Sequence, residues 1–117
     1  MSAEKYPFPY YFYILTNKNR TVLYCGMTNN LPARLKEHEN LQGMRKTFTG
    51  RYNCCYLIYY EGFEFVQDAI RREKEVKKWN RRKKELLIER LNPNWRFLNE
   101  DETFCHEGKT ANILSRE

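Results

Sequence analysis

Two aromatic, β-prone segments near the start of the chain constrain its fold more than any other feature. Residues 10–16 read YYFYILT, and residues 21–26 read TVLYCG. The four residues between them, NKNR, are polar and typical of a turn. Because so short a connection joins antiparallel neighbours, the pattern predicts a β-hairpin whose strands are these two segments.

The turn of this hairpin determines which tyrosines face each other. If residues 18 and 19 form a two-residue turn, Tyr13 lies directly opposite Tyr24, and both phenols emerge on one face of the sheet. A turn longer or shorter by one residue would place them on opposite faces. Taken alone, a cross-strand tyrosine pair indicates packing more often than catalysis.

The remaining chain shows helical patterns and one further strand. Three helices are predicted, at residues 31–41, 64–79 and 81–91. A polar, basic loop is expected at residues 43–53, followed by a strand at residues 54–60. The order β-β-α-β-α-α predicts an α+β fold, in which a small three-stranded antiparallel sheet is flanked by helices.

The length of 117 residues is enough for one domain. We place this domain at residues 1–98 and expect an acidic, loosely ordered tail at residues 99–117, which holds five acidic and two basic residues. The four cysteines lack the spacing of a metal site, and we expect reduced thiols in a cytoplasmic protein. No apolar run is long enough to span a membrane.

Basic residues are concentrated in one stretch of the chain. Residues 71–84 contain nine Lys and Arg against two Glu, whereas the whole chain has a net charge of +6. Such a stretch favours a polyanionic partner, although a solvated helix face carries similar charge. The candidate nucleic-acid-binding residues within it are Arg71, Arg72, Lys74, Lys77, Lys78, Arg81 and Arg82.

Two polar residues of the first predicted helix lie beside its apolar stripe. Arg34 and His38 are four residues apart and therefore share one face. Leu31 and Leu35 adjoin that face, so it is expected to point toward the sheet. An arginine and a histidine in such a position should be paired with other groups or used in function.

Glu73 interrupts the apolar stripe of the second long helix, which includes Ala69 and Val76. A carboxylate there is unfavourable unless another group pairs with it or a cation binds it. One interpretation is a buried salt bridge with an arginine. The other is a metal ligand, and a lone carboxylate suits Mg2+, which keeps several waters and often binds substrate phosphate as well.

Six short segments occur in an order that is similar to that of a known family. They are FYIL, YCGMTN, ARLKEH, FTGRY, REKEVKKW and LIERLNPNW. Over residues 10–98 the chain resembles the GIY-YIG nuclease family, and especially its small single-domain bacterial branch. It departs from the family pattern at its first motif, which reads YFY instead of GIY, and at Cys25, which replaces the Ile of the second.

The resemblance implies catalytic roles for five side chains. Glu73 would bind a divalent metal, Mg2+ or Mn2+, and Arg34 would contact the scissile phosphate. Tyr24 would act as general base toward the attacking water, with Tyr13 beside it as the other candidate. His38 would position groups or relay protons.

The resemblance also implies supporting roles and a substrate. Gly26 would permit tight backbone geometry, Asn92 would support the site by hydrogen bonding, and Arg51 of FTGRY would contact DNA. The expected function is a divalent-metal-dependent DNA endonuclease of DNA repair or recombination.

Several alternatives remain open at this point. The chain could be a nucleic-acid-binding protein of the same fold without catalytic turnover, or an interaction module whose basic helix meets an acidic protein. The target is also open among branched, damaged and single-stranded DNA and RNA, as is the oligomeric state.

Overall fold

The computed structural model describes residues 6–99 and confirms the predicted α+β fold. The strands are β1 (Tyr10–Thr16), β2 (Leu23–Thr28) and β3 (Tyr56–Phe63), and they form one antiparallel sheet in the order β2-β1-β3. The helices are α1 (Leu31–Asn40), α2 (Phe48–Tyr52), α3 (Val66–Lys77) and α4 (Arg81–Leu91). Among these helices, none has the length and apolar character that crossing a membrane requires.

The register of the hairpin differs from the predicted one by two residues. Tyr13 lies opposite Gly26, and Leu15 lies opposite Tyr24. The predicted direct pairing of Tyr13 with Tyr24 is therefore wrong. Because side chains alternate with a period of two, a shift of two residues keeps every side chain on its predicted face, and both phenols still lie on the same side of the sheet.

A longer connection between the strands causes this shift. The Oδ1 atom of Asn17 accepts hydrogen bonds from the backbone N–H groups of Thr21 and Val22, at 2.8 and 3.1 Å. Arg20 adopts a left-handed backbone conformation with φ of 60°. These bonds hold residues 17–22 in a loop, so β2 begins at Leu23 rather than at residue 21.

The sheet is covered on both faces, which explains why its central strand reads as a nearly continuous apolar run. All residues of β1 after Tyr10 are buried. Helices α3 and α4 cover one face, where the core residues are Phe12, Ile14, Cys25, Val76, Leu87 and Ile88. Helix α1 covers the other face, where they include Tyr11, Tyr13, Leu15, Leu31 and Leu35.

The predicted loop at residues 43–53 contains a short helix, so that prediction is wrong at residues 48–52. Helix α2 has only five residues, and the hydroxyl of Thr47 caps it by accepting a hydrogen bond from Gly50 N at 3.0 Å. Asn53, in the left-handed conformation, ends it. Gly50 allows close packing, because a Cβ at this position would lie 2.3 Å from the carbonyl oxygen of Leu41.

One of the cysteines differs from expectation. Cys25 and Cys54 are free and buried, whereas Cys55 is disulfide-bonded, so the prediction of reduced thiols is wrong at this residue.

Asn99, the first residue of the predicted tail, is buried, and its side chain accepts from Leu57 N and donates to Cys55 O, both at 3.0 Å. The rest of the tail, with Cys105, lies outside the described residues.

Candidate active site

The hydroxyl of Tyr13 is the centre of a buried hydrogen-bond network. It lies 3.0 Å from His38 Nε2 and accepts a hydrogen bond from Arg34 Nε at 3.3 Å. The other ring nitrogen of His38, Nδ1, lies 3.1 Å from Thr49 Oγ1. Tyr13 is fully buried, and His38 and Thr49 nearly so. Groups from β1, α1 and α2 therefore meet at one fixed point.

Burial determines the protonation states in this network. Loss of hydration, reinforced by the nearby charge of Arg34, lowers the pKa of His38 to about 4. Burial also raises the pKa of Tyr13 to about 12, although the hydrogen bond from Arg34 opposes that effect. Near neutral pH, His38 is thus an uncharged imidazole and Tyr13 a protonated phenol.

One tautomer of His38 gives every proton in the network an acceptor. An arginine can only donate, so the Tyr13 oxygen accepts from Arg34. The phenol proton is then available to His38 Nε2, and the proton on Nδ1 is available to Thr49 Oγ1. In this arrangement Thr49 accepts the Nδ1 proton, and His38 holds the hydroxyl of Tyr13 in place.

Tyr24 places a second phenol beside this network without joining it. Its ring centroid lies 6.4 Å from that of Tyr13 and 5.6 Å from that of His38. The side chain is half-buried, and its hydroxyl makes no hydrogen bond with any residue between 6 and 99. Tyr24 is therefore the phenol that can reach water or a substrate, whereas Tyr13 is anchored.

Gly26 makes room for the buried phenol. A Cβ atom on this residue would lie 2.6 Å from the hydroxyl oxygen of Tyr13 and 3.1 Å from the ring of Tyr24. Tyr13 faces Gly26 across the hairpin, so the absence of a side chain there lets the ring lie over β2. A side chain at position 26 would therefore displace the phenol of Tyr13.

Arg34 presents part of its guanidinium outward from the network. Its Nε atom donates to Tyr13, and its Nη1 atom donates to the carboxylate of Glu37 at 2.6 Å. The side chain is about one-third exposed, at 35%. Its Nη2 atom makes no hydrogen bond with a described residue, so a positioned donor and positive charge face the solvent.

Glu73 lies on helix α3, which contacts both β1 and β2 and covers the face of the sheet opposite to Tyr13. Its carboxylate is mostly buried, with 21% of the side chain exposed, and it pairs with Lys77 Nζ at 3.0 Å. The partner is thus an exposed lysine rather than the buried arginine considered above. The charge of Glu73 raises the pKa of Tyr13, although less than burial does, and Lys77 lies within electrostatic range of Tyr24.

The donor set near Glu73 suits one kind of metal site. No group of three His, Cys, Asp or Glu side chains that could hold an ion is found within the described part of the chain. Residues 6–99 thus contain no preformed protein cage for an ion. One partly exposed carboxylate with a displaceable lysine fits Mg2+ or Mn2+, whose other ligands would be waters and substrate phosphate.

Asn92 lies outside the Tyr13 network. Its Nδ2 group donates to the carbonyls of Ile58 and Arg96, at 3.0 and 2.8 Å, and its Oδ1 atom accepts from Arg96 N at 2.9 Å. The bond to Ile58 connects the end of α4 to β3, and the two bonds with Arg96 hold the segment that follows α4. None of these bonds involves the five candidate catalytic side chains.

Most of the predicted nucleic-acid-binding residues have acidic partners. Arg72 is the most enclosed: it donates to Glu61 and Glu75, and its guanidinium lies 5.4 Å from the ring of Trp79. The other ion pairs are Arg71–Asp68, Lys77–Glu73, Arg81–Glu85 and Arg82–Glu85. Lys74 and Lys78 are exposed and form no ion pair with a described residue, and exposed Arg51 donates to the carbonyl of Arg45.

The structure also brings residues to the site that the sequence patterns do not indicate. Thr49 contacts His38, and the ring of Phe48 lies 5.9 Å from that of Tyr24. Both belong to α2, in a segment that has the composition of a loop. A signal was present in the segment FTGRY, where two large aromatic residues flank Thr, Gly and Arg.

Comparison with known proteins identifies relatives of this chain. It is 38% identical over 88 residues to a UPF0213 protein of Limosilactobacillus reuteri, covering 75% of this chain and 86% of that protein. It is 41% identical over 78 residues to a UPF0213 protein of Clostridium perfringens, covering 67% and 81%. A UPF0213 protein of Bacillus halodurans, solved in solution by NMR, is 32% identical, with a TM-score of 0.49 and coverage of 81% and 98%.

A family model described as the GIY-YIG catalytic domain matches residues 9–86. The matched range includes the three strands, α1, α2, α3 and the first half of α4. It also includes all five candidate catalytic side chains. The chain therefore belongs to the GIY-YIG family, whose domain is a nuclease fold.

Proposed function

We propose that this protein is a divalent-metal-dependent DNA endonuclease that hydrolyses phosphodiester bonds. The observation that carries the proposal is the network in which Tyr13, Arg34 and His38 are joined by hydrogen bonds, with the accessible hydroxyl of Tyr24 beside it. Burying a polar network beside an outward-facing cation and an unpaired hydroxyl costs free energy that apolar packing at this position would not. It is suited to holding one phosphate group.

Arg34 would bind the scissile phosphate. Its guanidinium is held from two sides, by Tyr13 and Glu37, and therefore needs little rearrangement when a phosphate arrives. The planar fork of an arginine matches the geometry of phosphate oxygens. A fixed positive charge at this point would stabilise the negative charge that develops on those oxygens in the transition state.

Tyr24 would accept the proton of the attacking water as a phenolate, after its own phenol proton has passed to solvent. Its hydroxyl has no partner among the described residues, so it can form a hydrogen bond with a water on the substrate side. Tyr13 is the weaker candidate, because its phenol is fully buried and its pKa is raised to about 12. In this account Tyr13, with His38 and Thr49 behind it, positions Arg34.

Glu73 would hold the metal ion, Mg2+ or Mn2+, after Lys77 has moved away. Half of the Lys77 side chain is exposed, so its ammonium can leave the carboxylate for solvent or for a phosphate of the substrate. When bound, the cation would supply charge stabilisation at the phosphate and the leaving oxygen. The exposed cations Lys74, Lys78 and Arg51 would contact neighbouring phosphates.

DNA is the proposed substrate, and DNA repair or recombination is the proposed process. The test uses metal-stripped protein and supercoiled plasmid, with Mg2+ or Mn2+ added back. We expect relaxed circles to appear only with metal. The Glu73→Ala variant should cut at least about a hundredfold more slowly while binding DNA as well as the unchanged protein does.

A matched control is Glu64→Ala, which removes an exposed carboxylate that forms no ion pair with residues 6–99. This variant should cut at the unchanged rate. Persistent metal-dependent cleavage by Glu73→Ala would show that the metal assignment is wrong. DNA binding without any cleavage by the unchanged protein would favour the binding protein of the same fold, and the absence of DNA binding would favour the interaction module.

A further inference from the structure

Helix α2 presents two large aromatic rings to solvent beside the candidate active site. Phe48 is 48% exposed and Tyr52 is 42% exposed, and their ring centroids are 4.9 Å apart. The ring of Phe48 is also 5.9 Å from that of Tyr24, with an angle of 30° between the ring planes. Tyr24, Phe48 and Tyr52 thus form an aromatic row that leads from the Tyr13 network to the surface.

The exposed rings of this row are not what holds α2 in place. Thr47 caps the helix, and the buried side chain of Thr49 contacts His38. Gly50 packs against the carbonyl oxygens of Leu41 and Met44, where a Cβ would come within 2.3 and 2.6 Å. Because these contacts fix the position of the helix, the exposure of the two rings has no structural explanation.

Positive charge surrounds the aromatic row. Arg45, Lys46 and Arg51 are all exposed, and residues 41–60 contain no acidic residue. None of the three forms an ion pair with a described residue, whereas Arg71 and Arg72 of α3 and Arg81 and Arg82 of α4 all do. Unpaired cations around exposed aromatic rings are the combination that binds single-stranded nucleic acid, since phosphates meet the cations and bases stack on the rings.

Base stacking makes double-stranded DNA and DNA with unpaired bases different ligands for exposed aromatic rings. In double-stranded DNA the faces of the bases are covered by their neighbours, so a protein ring on the outside of the helix has no base face to contact. An unpaired base offers both of its faces. Exposed rings therefore add affinity for unpaired nucleotides and none for an intact duplex.

We propose that Phe48 and Tyr52 bind unpaired bases of DNA next to the phosphate held by Arg34, with Arg51 contacting the adjoining phosphate. The inference rests on the proposed endonuclease function and names its substrate class, DNA with unpaired nucleotides. The position of Tyr24 supports this placement, because its ring lies beside His38 of the candidate site and beside Phe48 of the aromatic row.

The test measures binding of a fluorescent single-stranded oligonucleotide and of the duplex with the same sequence, by anisotropy in the presence of EDTA. The variants are Phe48→Leu and Tyr52→Leu, which keep apolar side chains but remove the flat rings. Each should weaken single-strand binding about tenfold and change duplex binding less than twofold. Phe65→Leu is the matched control, because Phe65 is 65% exposed at the start of α3 and lies outside the aromatic row.

A second measurement identifies the stacked base. Replacing one base of the oligonucleotide by an abasic site should weaken its binding to the unchanged protein. The leucine variant that lacks the ring for that base should bind the abasic and the intact oligonucleotide about equally. Unchanged single-strand binding by both leucine variants would overturn the inference, as would an equal loss on the duplex. Since EDTA prevents metal-dependent cutting, this result does not depend on whether the protein proves to be an endonuclease.

Discussion

The buried, uncharged state of His38 makes the stability of the domain depend on pH in a predictable way. Burial, reinforced by the nearby charge of Arg34, lowers the pKa of His38 from 6.5 to about 4 in the folded state. In the unfolded chain the imidazole is hydrated and binds a proton at its ordinary pKa. Between pH 6.5 and about pH 4, the unfolded state therefore binds more protons than the folded state does.

The size of the effect follows from the difference between these two pKa values. Each tenfold change in proton affinity corresponds to about 1.4 kcal/mol. Lowering the pH from 7.0 to 4.5 should therefore remove roughly 2–3 kcal/mol of the free energy of unfolding through His38 alone. The sign is fixed: this contribution is present above pH 6.5 and is lost as the pH falls toward the folded-state pKa.

Urea denaturation followed by tryptophan fluorescence at several pH values measures this dependence. Carboxylates also titrate near pH 4, so the pH dependence of the free energy of unfolding is compared between the unchanged protein and His38→Gln. Glutamine keeps a hydrogen-bonding group near Tyr13 but does not titrate. The only other histidine is His106, and His106→Gln serves as the matched control. A pH dependence equal in the unchanged protein and in His38→Gln, or an NMR titration of His38 near pH 6.5, would refute the reasoning.

Three further predictions concern the catalytic cluster. Tyr24→Phe should lower the rate of single-turnover DNA cleavage about a hundredfold or more and leave the urea midpoint unchanged. Tyr13→Phe should instead reduce the free energy of unfolding by about 1–3 kcal/mol, because His38 loses a buried partner. Equal stability of the two variants would contradict this prediction. Gly26→Ala should reduce both cleavage and the urea midpoint, since its methyl group would lie 2.6 Å from the Tyr13 hydroxyl, and unchanged values of both would be contrary evidence. Lys77→Gln should lower the Mg2+ concentration for half-maximal cleavage up to about fivefold, because an exposed ion pair is worth about 0.2–1 kcal/mol; a higher requirement would mean that Lys77 helps the metal to bind.

The sequence could predict which face of the sheet each hairpin residue occupies but not the register. Alternation along β1 and β2 depends only on parity, and a shift of two residues preserves parity. The register depends on the loop after β1, where Asn17 accepts two backbone hydrogen bonds. A four-residue polar turn in the sequence gives no sign that one asparagine extends the loop to residue 22.

Helix boundaries were predictable where a side chain marks them. Asn30 caps α1 and Asn80 caps α4, each accepting a hydrogen bond from a backbone N–H three residues later. Helix α2 could not be predicted in this way, although Thr47 caps it. Its five residues include a glycine and a threonine, which favour helix weakly. It is held by tertiary contacts of Thr49 and Gly50 that no local pattern contains.

Charge pairing was the least predictable part of the candidate site. The basic stretch at residues 71–84 was visible from composition, but the acidic partner Glu61 comes from β3, eleven residues before Arg72. In the same way, i,i+4 spacing allows Glu73 to meet Lys77, but it equally allows Glu73 to remain open for a metal. Only the three-dimensional arrangement shows which basic residues remain exposed.

The central claim is that Arg34, Tyr24 and Glu73 act on the same phosphate. The most direct test is a crystal structure of the protein with Mg2+ and a DNA strand whose target linkage resists hydrolysis. We predict that one phosphate contacts both the Arg34 guanidinium and the Tyr24 hydroxyl, with the metal ion between that phosphate and Glu73. A phosphate bound elsewhere, with Glu73 still paired to Lys77, would contradict the claim.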